Sequence, residues 1–281
     1  MAKEAPSQST ASATGARPAV VIRELTRKFG PFTAVDRVTA DIAAGEVLGI
    51  IGPNGAGKST LIKMLTTLLP PTGGTAVVAG HDIVRAPAQV RRNIGYVPQQ
   101  LSSDGSLTGY ENMLLSARLY GIPHAEQAQR ITRALARMGL SEQAHHLVGR
   151  YSGGMIRRLE IAQSLLHRPA VLFLDEPTVG LDPAAREAVW EHVLDLRSTF
   201  KTTMIVTSHL MDEIDQFCDR IALINRGRIA AIETPAALKG RLGPGATLDD
   251  VFIELVGGGE SEGEGSYGDI RRARRAAREH G

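Results

Sequence analysis

Between residues 19 and 256 short apolar runs alternate with longer segments whose apolar residues recur three and four positions apart. Glu46-Val47-Leu48-Gly49-Ile50-Ile51 and Val171-Leu172-Phe173-Leu174-Asp175 are apolar without alternation, the pattern of a strand covered on both faces. After the first run comes a glycine-rich turn, and residues 58–69 then predict a helix closed by Pro70-Pro71. Thr108-x-x-Glu111 is a capping box that opens a helix towards Tyr120, and residues 123–138 predict another helix, ended by Gly139. The stretch from about 100 to 165 is therefore mostly helical. Residues 171–175 return to strand, Asp182-Pro183 caps a helix running to about Phe200, and Thr203-Met204-Ile205-Val206-Thr207 is strand again. A sheet resumes after a helical insertion. Asn225-Arg226-Gly227 between two apolar runs signals a hairpin, and Thr234-Pro235 and Thr247-x-x-Asp250 each cap a short helix. Strands alternating with helices predict an α/β fold with right-handed crossovers.

Composition narrows the class. The chain has 281 residues, 43% of them hydrophobic, with 32 basic and 30 acidic residues for a net charge of +2. Such a chain buries a sizeable core unaided, as one or two domains. Its single cysteine, Cys218, excludes an intramolecular disulfide and fits a reducing compartment. The longest uncharged stretch, residues 64–81, is broken by Pro70, Pro71, Gly73 and Gly74, which excludes a membrane span there. The first residues lack the apolar core of a secretory signal, so a cytoplasmic location is expected. The near-neutral balance argues against an electrostatic nucleic-acid binder. Residues 1–18 and 257–281 are too polar and glycine-rich to bury surface and predict disordered tails. The second tail opposes Glu260, Glu262, Glu264, Asp269 and Glu279 to Arg271, Arg272, Arg274, Arg275 and Arg278. It reads as a solvated segment, the alternative being a contact with anionic lipid headgroups.

The chemistry begins at Gly52-Pro53-Asn54-Gly55-Ala56-Gly57-Lys58-Ser59-Thr60, which fits the Walker A pattern G-x-x-x-x-G-K-[ST]. Its glycines let successive N–H groups converge on phosphate oxygens, and the helix N-terminus adds a favourable dipole. Lys58 then reaches the β- and γ-phosphates, and Ser59 the Mg²⁺. The fixed positions match by chance in a chain this long on the order of 1% of the time. Asp175 and Glu176, at the end of a buried strand, supply a metal-side carboxylate and a group to polarise water for attack on the γ-phosphate.

Tyr151-Ser152-Gly153-Gly154-Met155, twenty residues ahead of that strand, resembles the signature motif of ATP-binding cassette (ABC) ATPases. The other elements of the family follow in order: Phe29 before Gly30, Tyr96-Val97-Pro98-Gln99, Gly180-Leu181-Asp182, and Thr207-Ser208-His209. The resemblance covers residues 19–256 and implies a P-loop (RecA-like) core with an antiparallel β subdomain and a helical subdomain at about 100–165. It implies ATP and Mg²⁺ as ligands, Phe29 stacked on adenine, Gln99 on Mg²⁺ or water, and His209 on the γ-phosphate. It also implies a head-to-tail dimer, homodimeric or of two paralogues, in which Ser152, Gly153, Gly154 and Asp182 of one subunit complete the site of the other.

Tyr151 and Met155 stand where many members of the family have Leu and Gln, and with Leu248-Asp249-Asp250-Val251-Phe252 they resemble the daunorubicin-resistance-type exporter ATPases. The implied function is the ATP-hydrolysing subunit of an exporter, peripheral on the cytoplasmic face of the membrane beneath a separately encoded permease. The cargo, drug-like or lipid-like, would not touch this chain, and no nucleic-acid partner is expected. The alternative is an ABC ATPase acting on ribosomes or DNA, but residues 57–151 have no room for the long coiled coil of the DNA-repair members. A degenerate regulator is disfavoured because Lys58, Asp175, Glu176 and His209 are all present.

Overall fold

The computed structural model describes residues 17–256, so the tails predicted from sequence, apart from Arg17 and Pro18, lie outside the described residues. The chain opens with β1 (Val20–Phe29) and β2 (Phe32–Ile42), continues through β3 (Val47–Ile51) to α1 (Lys58–Leu65), and then forms β4 (Gly73–Val78), β5 (His81–Asp82), α2 (Pro87–Asn93) and β6 (Ile94–Val97). The helical part comprises α3 (Gly109–Leu119), α4 (His124–Arg137) and α5 (Gly153–Leu165). Next come β7 (Val171–Asp175), α6 (Pro183–Phe200), β8 (Thr203–Thr207), α7 (Met211–Phe217), β9 (Arg220–Asn225), β10 (Arg228–Glu233), α8 (Pro235–Gly240) and α9 (Leu248–Val256).

Two sheets result, a four-stranded one in the order β2-β1-β4-β5 and a six-stranded one in the order β10-β9-β3-β8-β7-β6. The first is antiparallel, while in the second β9, β3, β8, β7 and β6 run parallel. Every residue of β3, β7 and β8 is buried, as their unbroken apolar runs require. Alternate side chains enter different cores. Val47, Leu172, Leu174, Met204 and Val206 pack with the helical part, whereas Leu48, Ile50, Phe173 and Ile205 pack with α1 and the antiparallel sheet. The chain leaving β3 travels to β6 at the sheet edge, and the chain leaving β8 passes β3 to build β9 on its far side. Loops at the carboxyl ends of β3 and β8 therefore diverge and open a crevice, the usual ligand position in such sheets.

The predicted caps form. Thr108 and Glu111 exchange both bonds of the capping box, and Asp182, Thr234 and Thr247 cap the helices that follow them. Arg226 and Gly227 both take positive φ, the type I′ geometry the hairpin needs. One boundary differs from expectation, because α1 ends at Leu65 rather than Leu69. The Thr66 hydroxyl donates to the Ile62 carbonyl at 2.8 Å and Thr67 turns to φ 63°, so the threonines end the helix before the prolines do.

Candidate active site

The loop joining β3 to α1 has its shape because side chains are excluded from it. A Cβ on Gly52 would lie 2.2 Å from the Ile224 carbonyl oxygen, and one on Gly57, where φ is 105°, would lie 2.3 Å from that of Ala34. Gly57 supplies no side-chain cap and the first turn of α1 contains no acidic residue, so its N–H groups face the loop without a competing anion. Lys58 is buried, and its Nζ donates to the carbonyls of Gly52 at 2.7 Å and Pro53 at 3.1 Å. Burial pushes its pKa below the ordinary lysine value, while Glu176 and Asp175 oppose that shift.

Strand register brings in the carboxylates. Ile50 of β3 pairs with Thr207 of β8, which in turn pairs with Asp175 of β7, so three carboxyl ends lie side by side. The Thr207 hydroxyl donates to Asp175 Oδ1 at 2.7 Å and accepts the Glu176 N–H at 2.9 Å. Ser59 Oγ is 3.5 Å from the same Asp175 oxygen. Glu176 takes a φ of 52°, a strained value for a side chain with a Cβ, which turns it out of the strand direction. Its Oε2 accepts from Gln99 Nε2 at 2.7 Å, and its Oε1 is in contact with His209 Nε2. Three residues expected from sequence thus meet around one carboxylate.

Above them is a cleft of about 360 Å³ whose walls include Phe29, Phe32, Asn54, Lys58, Gln99, Glu176 and His209, with Gly55, Ala56, Gly57, Ser59 and Thr60 along its floor. Phe32 was not anticipated. It pairs with Phe29 across the β1–β2 turn and is more exposed, and an aromatic three residues after Phe29 beyond a two-residue turn was the available signal. One face of Phe29 carries the Arg27 guanidinium, 4.6 Å from the ring centroid. Sequence shows Thr207 only as a strand end beside His209, yet its hydroxyl holds the Asp175 carboxylate and the Glu176 backbone N–H. Glu213 was also missed: it accepts from Thr178 Oγ1 at 2.8 Å and Ser208 Oγ at 3.3 Å, joining the segment before Gly180 to the one before His209. A buried glutamate inside an amphipathic helix gives no local cue.

Ser152, Gly153, Gly154 and Asp182 do not line the cleft. Ser152 caps α5 by accepting the Met155 N–H at 3.3 Å, and Asp182 caps α6 by accepting that of Ala185 at 3.0 Å. The two helix starts touch, since a Cβ on Gly153 would meet Leu181 at 3.5 Å and one on Gly154 would meet Ala185 at 3.0 Å. They form one ledge on which Ser152, Gly153, Val179, Gly180 and Asp182 are exposed. Tyr151 is buried behind it and donates its hydroxyl to the Gln143 carbonyl at 2.6 Å, which accounts for an aromatic where many ABC ATPases have Leu.

Oxygen donors from a hydroxyl, a carboxylate and an amide at Ser59, Asp175 and Gln99 suit Mg²⁺, and the cationic Lys58 with the α1 N-terminus suits a polyphosphate. Comparison with known proteins points the same way. Residues 35–179 match the ABC transporter family. Over 219 residues the chain is 47% identical to the daunorubicin/doxorubicin resistance ATP-binding protein of Streptomyces peucetius, covering 78% of this chain and 66% of that one. It is 39% identical over 251 residues to YbhF, an ABC transporter ATP-binding protein of Escherichia coli, covering 88% of this chain but only 43% of that one, so it spans less than half of that relative. Among solved structures, the dimeric post-hydrolysis state of an ATP-binding cassette bound to ADP and Pi superposes with a TM-score of 0.69 at 27% identity, over 76% of this chain and 98% of that one.

Proposed function

The chain belongs to the ABC transporter family, and from that premise we propose that it is the ATP-hydrolysing subunit of an exporter that works as a head-to-tail dimer beneath a separate membrane permease. The observation that carries the proposal is the separation of two anion-binding features: the Lys58 loop lies in the cleft, and the Ser152–Gly154 ledge lies outside it. A second copy turned about a twofold axis brings each ledge to the other's cleft.

In this reading the loop N–H groups and Lys58 hold the β- and γ-phosphates, and Phe29 and Phe32 cover the base. Ser59, Asp175 and Gln99 would hold Mg²⁺, which supplies positive charge against the phosphates. Glu176 accepts a proton from the attacking water, and Gln99 and His209, both in contact with it, orient that water and the γ-phosphate. On nucleotide entry Lys58 exchanges two carbonyl partners for phosphate oxygens, so it is poised in the cleft before the nucleotide arrives.

Support for a membrane partner comes from α3, where Leu115 and Leu119 are exposed one helical turn apart, with Leu101 also exposed on the loop before it. No helix among the described residues is long and apolar enough to cross a membrane; in this reading the transport path lies in that partner, with this chain on its cytoplasmic face. The resistance functions named for the relatives favour a drug-like or lipid-like cargo. Co-expression with the permease encoded beside the gene tests the proposal: the two should co-purify and the permease should raise ATP turnover, and a chain that neither associates nor responds is not its motor.

A further inference from the structure

Three residues after Gly154, α5 turns a pair of ionised side chains inward. Arg157 and Glu160 are both almost wholly buried, with side-chain exposures of 2% and 3% and an ion pair of 3.0 Å. They are not spent on each other alone. Arg157 Nη1 donates to the Pro98 carbonyl at 2.6 Å and Nη2 to the Gln99 carbonyl at 2.7 Å. Glu160 Oε1 accepts the Ser102 N–H, the Ser102 hydroxyl at 3.1 Å and the Ser103 N–H at 3.3 Å. The segment from Pro98 to Ser103 is therefore gripped at both ends by neighbouring side chains of one helix.

That segment needs such a grip. It follows the last residue of β6, Val97, and has neither helix nor strand until Gly109, so no ladder bonds hold it. Gln99 lies at its start with its side-chain nitrogen 2.7 Å from Glu176. Burying a guanidinium and a carboxylate is unfavourable unless all their hydrogen bonds are directed. Burial draws the Arg157 pKa down, with Glu160 and Asp175 opposing; Glu160 and the two backbone carbonyls partner both Nη atoms, while the buried Nε has no partner. The planar guanidinium gives each of two successive carbonyls its own nitrogen, a fixed fork that an ammonium, donating from a single nitrogen, does not reproduce.

We propose that Arg157 and Glu160 form a strut that makes the Gln99 loop move as one body with the signature helix, Arg157 acting as a positioning residue for Gln99. Gly154, on the ledge, and Arg157 are less than one helical turn apart on α5. A displacement of that helix start by nucleotide on the opposite subunit is then carried through Arg157 to the amide facing Glu176 in its own subunit. This rests on the assignment of Gln99 and Glu176 to the hydrolytic site made above.

A kinetic double-mutant cycle on the full chain tests the strut, using MgATP turnover with Arg157→Gln, Gln99→Ala and the pair. If the strut acts through Gln99, Arg157→Gln lowers kcat about 10-fold, leaves KM for ATP within about twofold, and slows the Gln99→Ala background no further. Arg157→Lys, which keeps the charge but not the fork, recovers part of the loss. If Arg157→Gln does not fold, as read by thermal unfolding, the cycle is run with Arg157→Lys, which keeps Glu160 paired. Multiplying effects in the double variant, a raised KM with unchanged kcat, or undiminished turnover overturns the strut. Gln99→Ala without effect on kcat overturns the site assignment as well, whereas a slow Gln99→Ala beside an unimpaired Arg157→Gln overturns the strut alone.

Discussion

Gln99 Nε2 lies 2.7 Å from Glu176 Oε2, although 77 residues separate the two in sequence. With His209 on the other carboxylate oxygen, Glu176 has a partner on each side and a backbone φ of 52° that aims it into the cleft. A carboxylate so held is placed to receive a proton, and several outcomes follow from that placement.

Replacing Glu176 by Gln keeps the shape and the contact with Gln99 but removes the proposed base. Turnover should fall about 10²- to 10³-fold, the range general-base removal produces, with ATP affinity retained. Steady-state hydrolysis and equilibrium binding measured on one preparation check this, and unchanged turnover would reject Glu176 as the base.

Lys58→Ala acts on the opposite quantity. Losing a charge-assisted bond to phosphate costs about 1.5–3 kcal/mol, or about 10- to 150-fold in ATP affinity. Titration with a fluorescent ATP analogue reads this directly, and wild-type affinity in the variant would place the phosphates elsewhere.

Phe29→Ala and Phe32→Ala separate base from phosphate recognition. Stacking of a base on an aromatic ring contributes about 1–3 kcal/mol, so each change should weaken ATP binding while leaving inorganic tripolyphosphate unaffected. Equal loss for both ligands would show that the β1–β2 turn shapes the loop rather than covering the base.

The shared-site dimer predicts complementation. Lys58→Ala spoils the cleft and Ser152→Arg spoils the ledge, so each variant alone is inactive, whereas their mixture regains about one working site per heterodimer. A mixture no more active than its components would mean that the ledge completes no site.

Thr207→Val tests the link between the strands. It removes the hydroxyl that donates to Asp175 and accepts from Glu176 N–H, leaving a buried carboxylate oxygen short of a partner. The expected loss of stability is about 1–3 kcal/mol, visible in denaturant unfolding, together with slower hydrolysis. Unchanged stability and kcat would reduce Thr207 to a strand residue.

Much of this site was legible because its parts are local. The Gly52-to-Thr60 loop, the Thr108–Glu111 box, the Asp182 and Thr247 caps and the Arg226-Gly227 turn are set by contacts within a few residues, so residue type and spacing declare them. Family order added Phe29, Gln99 and His209, and the cleft brings all three together with Lys58 and Glu176. Local pattern could not rank the strands. β3, β7 and β8 are equally apolar and buried, so nothing in their sequences says that β8 lies between the other two, and the Thr207 bridge between Asp175 and Glu176 exists only through that order. Nor does an amphipathic helix announce which of its charges turn inward: Arg157 and Glu160 are buried because β6 and the loop after it pack against α5, and that loop supplies the carbonyls and N–H groups they bond. Phe32 joined the cleft by pairing with Phe29, and Ser152 with Asp182 became one ledge when α5 met α6. Sequence by itself determined the chemistry of each segment, because caps, turns and loop glycines act over a few bonds. Tertiary structure alone decided which segments share a site, because strand order and helix packing are set by contacts between residues tens to hundreds of positions apart.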